Sequence, residues 1–119
     1  MILVDTSIWV DHLRQSDARL KKLLESGQVV IHPFVVGELA LGNLRQRNVV
    51  LSALRDLPQA VSASNEEVLD FIELRALAGL GIGWVDAHLL ASTQLTSATL
   101  WTRDKRLNTV AARLGLAAV

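Results

Sequence analysis

Short runs of consecutive apolar residues alternate along this chain with longer stretches in which apolar side chains recur every three or four positions. The first pattern is that of strands buried on both faces, the second that of amphipathic helices. Ile2, Leu3 and Val4 form the first such run, and it leads straight into Asp5, Thr6 and Ser7. Residues 6 to 13 are then predicted to form a helix, with the Thr6 or Ser7 hydroxyl as its cap. A second helix, 17 to 26, places Leu20, Leu23 and Leu24 on one face and Lys21, Lys22 and Glu25 on the other, and Gly27 stops it. Residues 29 to 31 read as a strand, closed by His32 and Pro33, the latter well suited to a helix start.

The next helix, predicted from 34 to about 44, spaces Phe34, Glu38 and Leu41 at i, i+4 and i+7, so Glu38 falls inside an apolar stripe. Gly37 and Gly42 each cost such a helix about 1 kcal/mol relative to Ala, which points to close backbone packing or a partner on this face. A helix from 49 to 57 ends at Pro58, and a short strand is placed near Ala60 and Val61. Ser64 and Glu67 have the capping-box spacing and open a helix that turns Val68, Phe71, Ile72, Ala76 and Leu77 inward. After Gly79, Gly81 and Gly83 come a helix over 84 to 97, a strand over 99 to 101, a turn, a helix to 114 stopped by Gly115, and a last strand over 116 to 118. This alternation predicts an α/β fold, a three-layer α/β/α sandwich with a short, mostly parallel sheet, and one domain over residues 1 to 119.

Composition changes the picture in three ways. A chain of 119 residues can bury roughly two thirds of its unfolded surface without disulfide staples, and it has no cysteine to make them or to bind a soft metal. No signal peptide and no run near the ~20 residues of a membrane span is present, so a soluble cytosolic (cytoplasmic) protein that makes no membrane contact is the expectation. Twelve basic and twelve acidic side chains cancel, so any contact with nucleic acid must be local; nine of the cations are Arg, the better fork for phosphate.

Most of the acids sit on polar helix faces or at helix starts. Four do not. Asp5 ends a buried strand, Glu38 interrupts an apolar stripe, Asp86 lies in the first turn of an apolar helix, and Asp104 follows the strand at 99 to 101. Each has an ordinary structural reading, as a cap, a dipole partner, an Arg partner or an acceptor of loop N–H groups. All four readings must hold at once, whereas one site at the carboxyl end of a parallel sheet explains them together. Two like charges ~4 Å apart repel by roughly 4 kcal/mol at an effective dielectric of 20, so such a cluster calls for a cation. Oxygen donors without thiolates select a hard ion, Mg²⁺ or Mn²⁺, and such ions support phosphodiester hydrolysis. His12, His32 and His88 show no metal-site spacing and read as packing or surface residues. Arg103, Lys105 and Arg106 flank Asp104, and Arg14 follows the first helix, so these four are the candidate contacts to a nucleic-acid backbone.

Taken together, residues 1 to 7, the Gly37–Glu38–Leu39 step, the 85 to 91 stretch around Asp86 and the Trp101–Thr102–Arg103–Asp104 turn resemble the PIN-domain ribonucleases, and among them the VapC toxins of bacterial toxin–antitoxin pairs. The resemblance spans nearly the whole chain. It implies a three-layer fold, metal-dependent endonucleolytic cleavage of RNA, and a catalytic, metal-holding set at Asp5, Glu38, Asp86 and Asp104. It also implies supporting hydroxyls at Thr6, Ser7 and Thr102, a VapB-type antitoxin whose tail enters the active groove, and a homodimer. Two other classes compete on the residues alone. A haloacid-dehalogenase-type phosphatase would want an Asp where Ser7 stands, and a receiver domain would want an Asp after a central strand. An interaction module without catalysis is the other rival, with residues 49 to 57 as its apolar face.

Overall fold

The first strand, β1 (Ile2–Val4), lies between β2 (Val29–Val30) and β3 (Thr99–Trp101), and both neighbours run parallel to it. Leu3 pairs with Val30 on one side and with Leu100 on the other. Successive strand residues point to opposite faces, and Leu3 and Val4 are both fully buried, so helices cover the sheet on both sides. This is the computed structural model of the chain, and it describes residues 1 to 118. It has the predicted α/β character, with seven helices around a short parallel sheet among the described residues.

The helices are α1 (Thr6–Arg14), α2 (Ala18–Glu25), α3 (Pro33–Ala40), α4 (Arg47–Arg55), α5 (Asn65–Leu74), α6 (Trp84–Leu95) and α7 (Lys105–Arg113). Their starts follow the sequence signals. Asp17 accepts from the Leu20 N–H at 2.9 Å, Pro33 occupies the first turn of α3, and Ser64 and Glu67 exchange both bonds of a capping box. α6 is buried over most of its length and, with α7, packs against β3, while α1 packs against α3. None of these helices is long and apolar enough to cross a membrane.

Five expectations need correction. The strands placed near Ala60 and over 116 to 118 shrink to single parallel bridges, Ile31 with Gln59 and Leu100 with Ala117, which extend the sheet by one residue pair at each edge. The first helix is capped by Asp5, whose Oδ1 accepts from the Thr6 N–H at 2.8 Å, leaving the Thr6 and Ser7 hydroxyls for other work. α3 ends at Ala40 because Arg47 donates back to the Ala40 and Gly42 carbonyls and turns the chain into α4. Its buried stripe is Val35 and Leu39; Phe34, Glu38 and Leu41 face outward, Leu41 being 90% exposed, so Glu38 lies on an open face and not within the core. Gly37 has open space where a Cβ would stand, so no close packing accounts for it.

Chain order also fixes where a site can lie. β1 connects through α1 and α2 to β2 on one side, and the chain then crosses to β3 on the other, so the direction of strand order reverses at β1. Ligands of parallel sheets bind at the carboxyl ends of strands where that reversal occurs. Asp5 follows the last residue of β1.

His32 locks α3 to α6 at this level. Its Nδ1 accepts from the Phe34 N–H at 3.0 Å, so the ring proton sits on Nε2, 3.2 Å from Ser92 Oγ. Burial, with a smaller push from His88, lowers its pKa from 6.5 to about 4. The unfolded chain takes up this proton near pH 6.5 and the folded chain near pH 4, so the stabilisation is complete above 6.5 and lost as pH falls to 4. It amounts to roughly 3 kcal/mol at most. Urea melts of His32→Asn, which keeps a capping acceptor and removes the titration, should therefore show a flatter pH dependence than the parent between these values.

Candidate active site

Asp5 is buried, and both of its oxygens are engaged. Oδ1 accepts from the Thr6 N–H, and Oδ2 accepts from the Thr102 hydroxyl at 2.7 Å. That second bond ties the end of β1 to the segment after β3. The Thr102 oxygen in turn accepts from the Asp104 N–H at 3.1 Å, and Asp104 caps α7 by accepting from the Leu107 N–H at 3.0 Å. Thr102 thus orients one acid with its proton and the backbone of the other with its lone pair.

Asp86 enters from the first turn of α6. Its Oδ2 accepts from the Gly83 N–H at 2.9 Å. Its pKa is raised, first by burial and then by the charges of Asp5 and Asp104, against the lowering effect of the Gly83 bond. The two carboxylates lie close enough to be felt, so three acids from three helix starts face one region. Glu38 joins from the exposed face of α3, where its Oε1 accepts from the Thr6 hydroxyl at 3.1 Å. Ser7 accepts from the Arg103 N–H at 3.3 Å and so braces the turn that carries Thr102.

Thr102 links Asp5 to Asp104 and Thr6 links Asp5 to Glu38, Asp86 feels Asp5 and Asp104 through their charge, and the four do not form a closed cage. No three acid or imidazole groups among the described residues stand close enough to be a ready-made metal nest. The donor set is all oxygen, its charges repel, and it is open on the side of Glu38 and Asp104, both exposed. This chemistry fits a hydrated hard divalent cation, which keeps several waters and needs few protein ligands.

The expected basic border divides into three. Arg103 pairs with Asp11 at 2.5 Å and Asp17 at 3.3 Å, across the top of α1 and α2. Arg14 and Arg45 line a groove of about 830 Å³ beside Glu38, with Val10, Leu13 and Leu39 as its apolar wall. Lys105 and Arg106 line a second groove on α7, and Arg113, absent from the predicted contacts, joins them there. Its spacing of seven from Arg106 on one helix face was the available signal. His88 is buried between Phe34 and Trp84, with ring centroids 4.8 and 4.6 Å away, and its Nε2 has no hydrogen-bond partner. Like His32, it is a packing residue in this arrangement.

A family profile described as the PIN domain matches residues 2–113. The chain belongs to the PIN-domain family. Two curated relatives from Mycobacterium tuberculosis strains, each named Ribonuclease VapC32, are 51% identical to it over 118 residues, covering 98% of this chain and 95% of theirs. Its nearness to them places it with the VapC-type PIN domains. Two solved structures share the fold: FitAcB from Neisseria gonorrhoeae (TM-score 0.66, 24% identity, 94% of each chain) and FitAB bound to a DNA fragment (TM-score 0.64, 22% identity, 94% of this chain and 91% of that one).

In a PIN domain built this way, the crowded Asp86 should oppose folding when ionised. Its folded pKa is raised above 3.8, so its contribution favours the fold below that pH and is lost as pH rises through the folded value. Asp86→Asn keeps an acceptor for Gly83 and removes the charge. Without metal, the variant should be at least as stable as the parent at pH 7, with the difference closing toward pH 3.8; a variant destabilised by 1 to 3 kcal/mol, the usual cost of an unpaired buried group, would assign Asp86 a purely structural role.

Proposed function

We infer that the protein is the toxin of a toxin–antitoxin pair and an endoribonuclease that hydrolyses RNA phosphodiester bonds with Mg²⁺ or Mn²⁺. The observation that carries this reading is the 51% identity to two ribonucleases over 98% of the chain, supported by Asp5 at the switch point of the sheet. Asp5, Asp86 and Asp104, with Glu38, are the residues that would hold the metal. When bound, the cation supplies charge that acidifies water and offsets the negative charge building on the phosphate.

The chain's own residues do the positioning. Thr102 and the Thr6 N–H fix both oxygens of Asp5 and so set the plane of its carboxylate. Gly83 and Leu107 N–H groups hold Asp86 and Asp104 through one oxygen each. Glu38, exposed and held at Oε1 by Thr6, presents Oε2 to accept a proton from the attacking water. The groove beside Glu38, with Arg14 and Arg45 at its rim, is the seat for the tail of a VapB-type antitoxin. α4 leaves Val49 exposed next to buried Leu51 and Leu54, an apolar contact for a second copy in a homodimer.

A labelled RNA pool incubated with purified protein should be cut with Mg²⁺ or Mn²⁺ and remain whole in chelator. Thr102→Val, which frees Asp5 without touching a proposed ligand, should lower the cleavage rate about 10- to 100-fold. Asp5→Asn should lower it further. An RNA pool left whole by the parent with either metal contradicts the assignment.

A further inference from the structure

Along α7, Arg106, Thr109, Val110 and Arg113 share one face at i, i+3, i+4 and i+7, and this face forms a groove of about 260 Å³ with Lys105 and Leu80. Leu80 and Val110 make an apolar floor, and among the described residues no carboxylate lines it. Each of its two walls has one end at an acid of the candidate site. Asp104 caps the helix that carries the cations, and the glycine loop opposite them ends at Gly83, whose N–H holds Asp86.

Gly81 explains how one of these cations is aimed. It has a φ of +78°, and a Cβ built on it would stand 2.7 Å from Nη1 of Arg106 and 3.2 Å from its Cδ. The guanidinium therefore lies against bare backbone, in a place that a side chain would fill. Arg113 is steadied as well, since one Nη donates to the Arg75 carbonyl at 3.3 Å. Guanidinium groups present parallel N–H donors that match phosphate oxygens, and held in place they lose less side-chain freedom on binding.

We propose that this groove binds the phosphate backbone of the RNA strand where it runs past Asp104, through Lys105, Arg106 and Arg113, and that Gly81 is the positioning residue for Arg106. The proposal rests on the ribonuclease reading and adds to it a strand path and a direction, along α7 from Asp104 toward Arg113. An acidic peptide would meet the same charges, but the groove begins at Lys105, the residue after Asp104, on the path of a strand cleaved at the proposed acids. Arg106 and Arg113 are roughly 10 Å apart along the helix axis, so they reach different phosphates of one strand.

The test is salt-dependent binding of a fluorescein-labelled oligouridylate with Mg²⁺, in the Asp86→Asn background so that the probe survives. Arg106→Gln and Arg113→Gln should each reduce the slope of log affinity against log salt by about 0.7, with the melting temperature unchanged. Gly81→Ala should reproduce the Arg106→Gln slope. Gly79→Ala is its control, because Gly79 has the same φ of +78° and nothing within 4 Å of a Cβ, so it carries the backbone strain without touching Arg106. Unchanged slopes in both Arg variants overturn the groove, and equal slopes for Gly81→Ala and Gly79→Ala overturn the role of Gly81. Arg106→Lys keeps the charge without the fork and should retain the slope while weakening binding, and binding equal to the parent's overturns the role of the guanidinium. Cleavage of the same oligouridylate by the parent reports the ribonuclease reading separately, so cleavage with unaltered slopes overturns the groove alone. Antitoxin affinity lost in Arg113→Gln with an intact RNA slope makes the groove a protein contact and overturns the proposal too.

Discussion

The hydrogen bond from Thr102 to Asp5 joins residues 97 positions apart and holds the carboxyl end of the central strand to the end of its neighbour. Everything in the candidate site is referred to it. Asp5 is fixed by it directly, and Asp104 through the other side of the same hydroxyl. Asp86 and Glu38 then take their places relative to that pair. The bond forms only after β3 has docked on β1, so the site is a product of the completed sheet and of no single segment.

A cluster of carboxylates ought to weaken the fold that carries it, and the helix starts are what make it tolerable. Asp5, Asp86 and Asp104 each accept a backbone N–H in the first turn of a helix, α1, α6 and α7. A helix N-terminus carries about half a positive charge, and an acid there is stabilised by typically 0.3 to 1 kcal/mol. Three such termini directed at one region offset part of the repulsion before any cation arrives. Asp86 is raised above its ordinary value first by burial, and the charges of Asp5 and Asp104 add a smaller push in the same direction. The structural and chemical readings of these acids, which compete when each is considered alone, are therefore compatible: the same contacts that cap the helices orient the carboxylates.

Asp5, Asp86 and Asp104 stand out in the sequence because each sits at a strand end or a helix start, whereas the apolar stripe that draws attention to Glu38 faces outward. The capping box at Ser64, the parallel sheet and the stops at Gly27 and Gly115 were legible for the same local reasons. What depended on tertiary pairing was not. Nothing in residues 5 to 7 says that Asp5 and not Thr6 or Ser7 caps α1, because the choice follows from where Glu38 and Arg103 come to rest. The Phe34, Glu38 and Leu41 stripe has core spacing yet faces outward, since Val35 and Leu39 with His32 supply the buried face. The cations near Asp104 look alike in sequence, but Asp11 and Asp17 claim Arg103 while Arg106 lies over Gly81.

The central claim is that these four acids form one site completed by a hydrated divalent cation. The most direct measurement is the melting temperature of the parent protein as Mg²⁺ is added to the chelator-stripped form. A cation that binds only the assembled site stabilises it by about 2.7 kcal/mol at a concentration of 100 Kd, so the melting temperature should climb with the logarithm of Mg²⁺ and an equal concentration of Na⁺ should leave it flat. A melting temperature that does not respond to millimolar Mg²⁺ or Mn²⁺ would contradict the account.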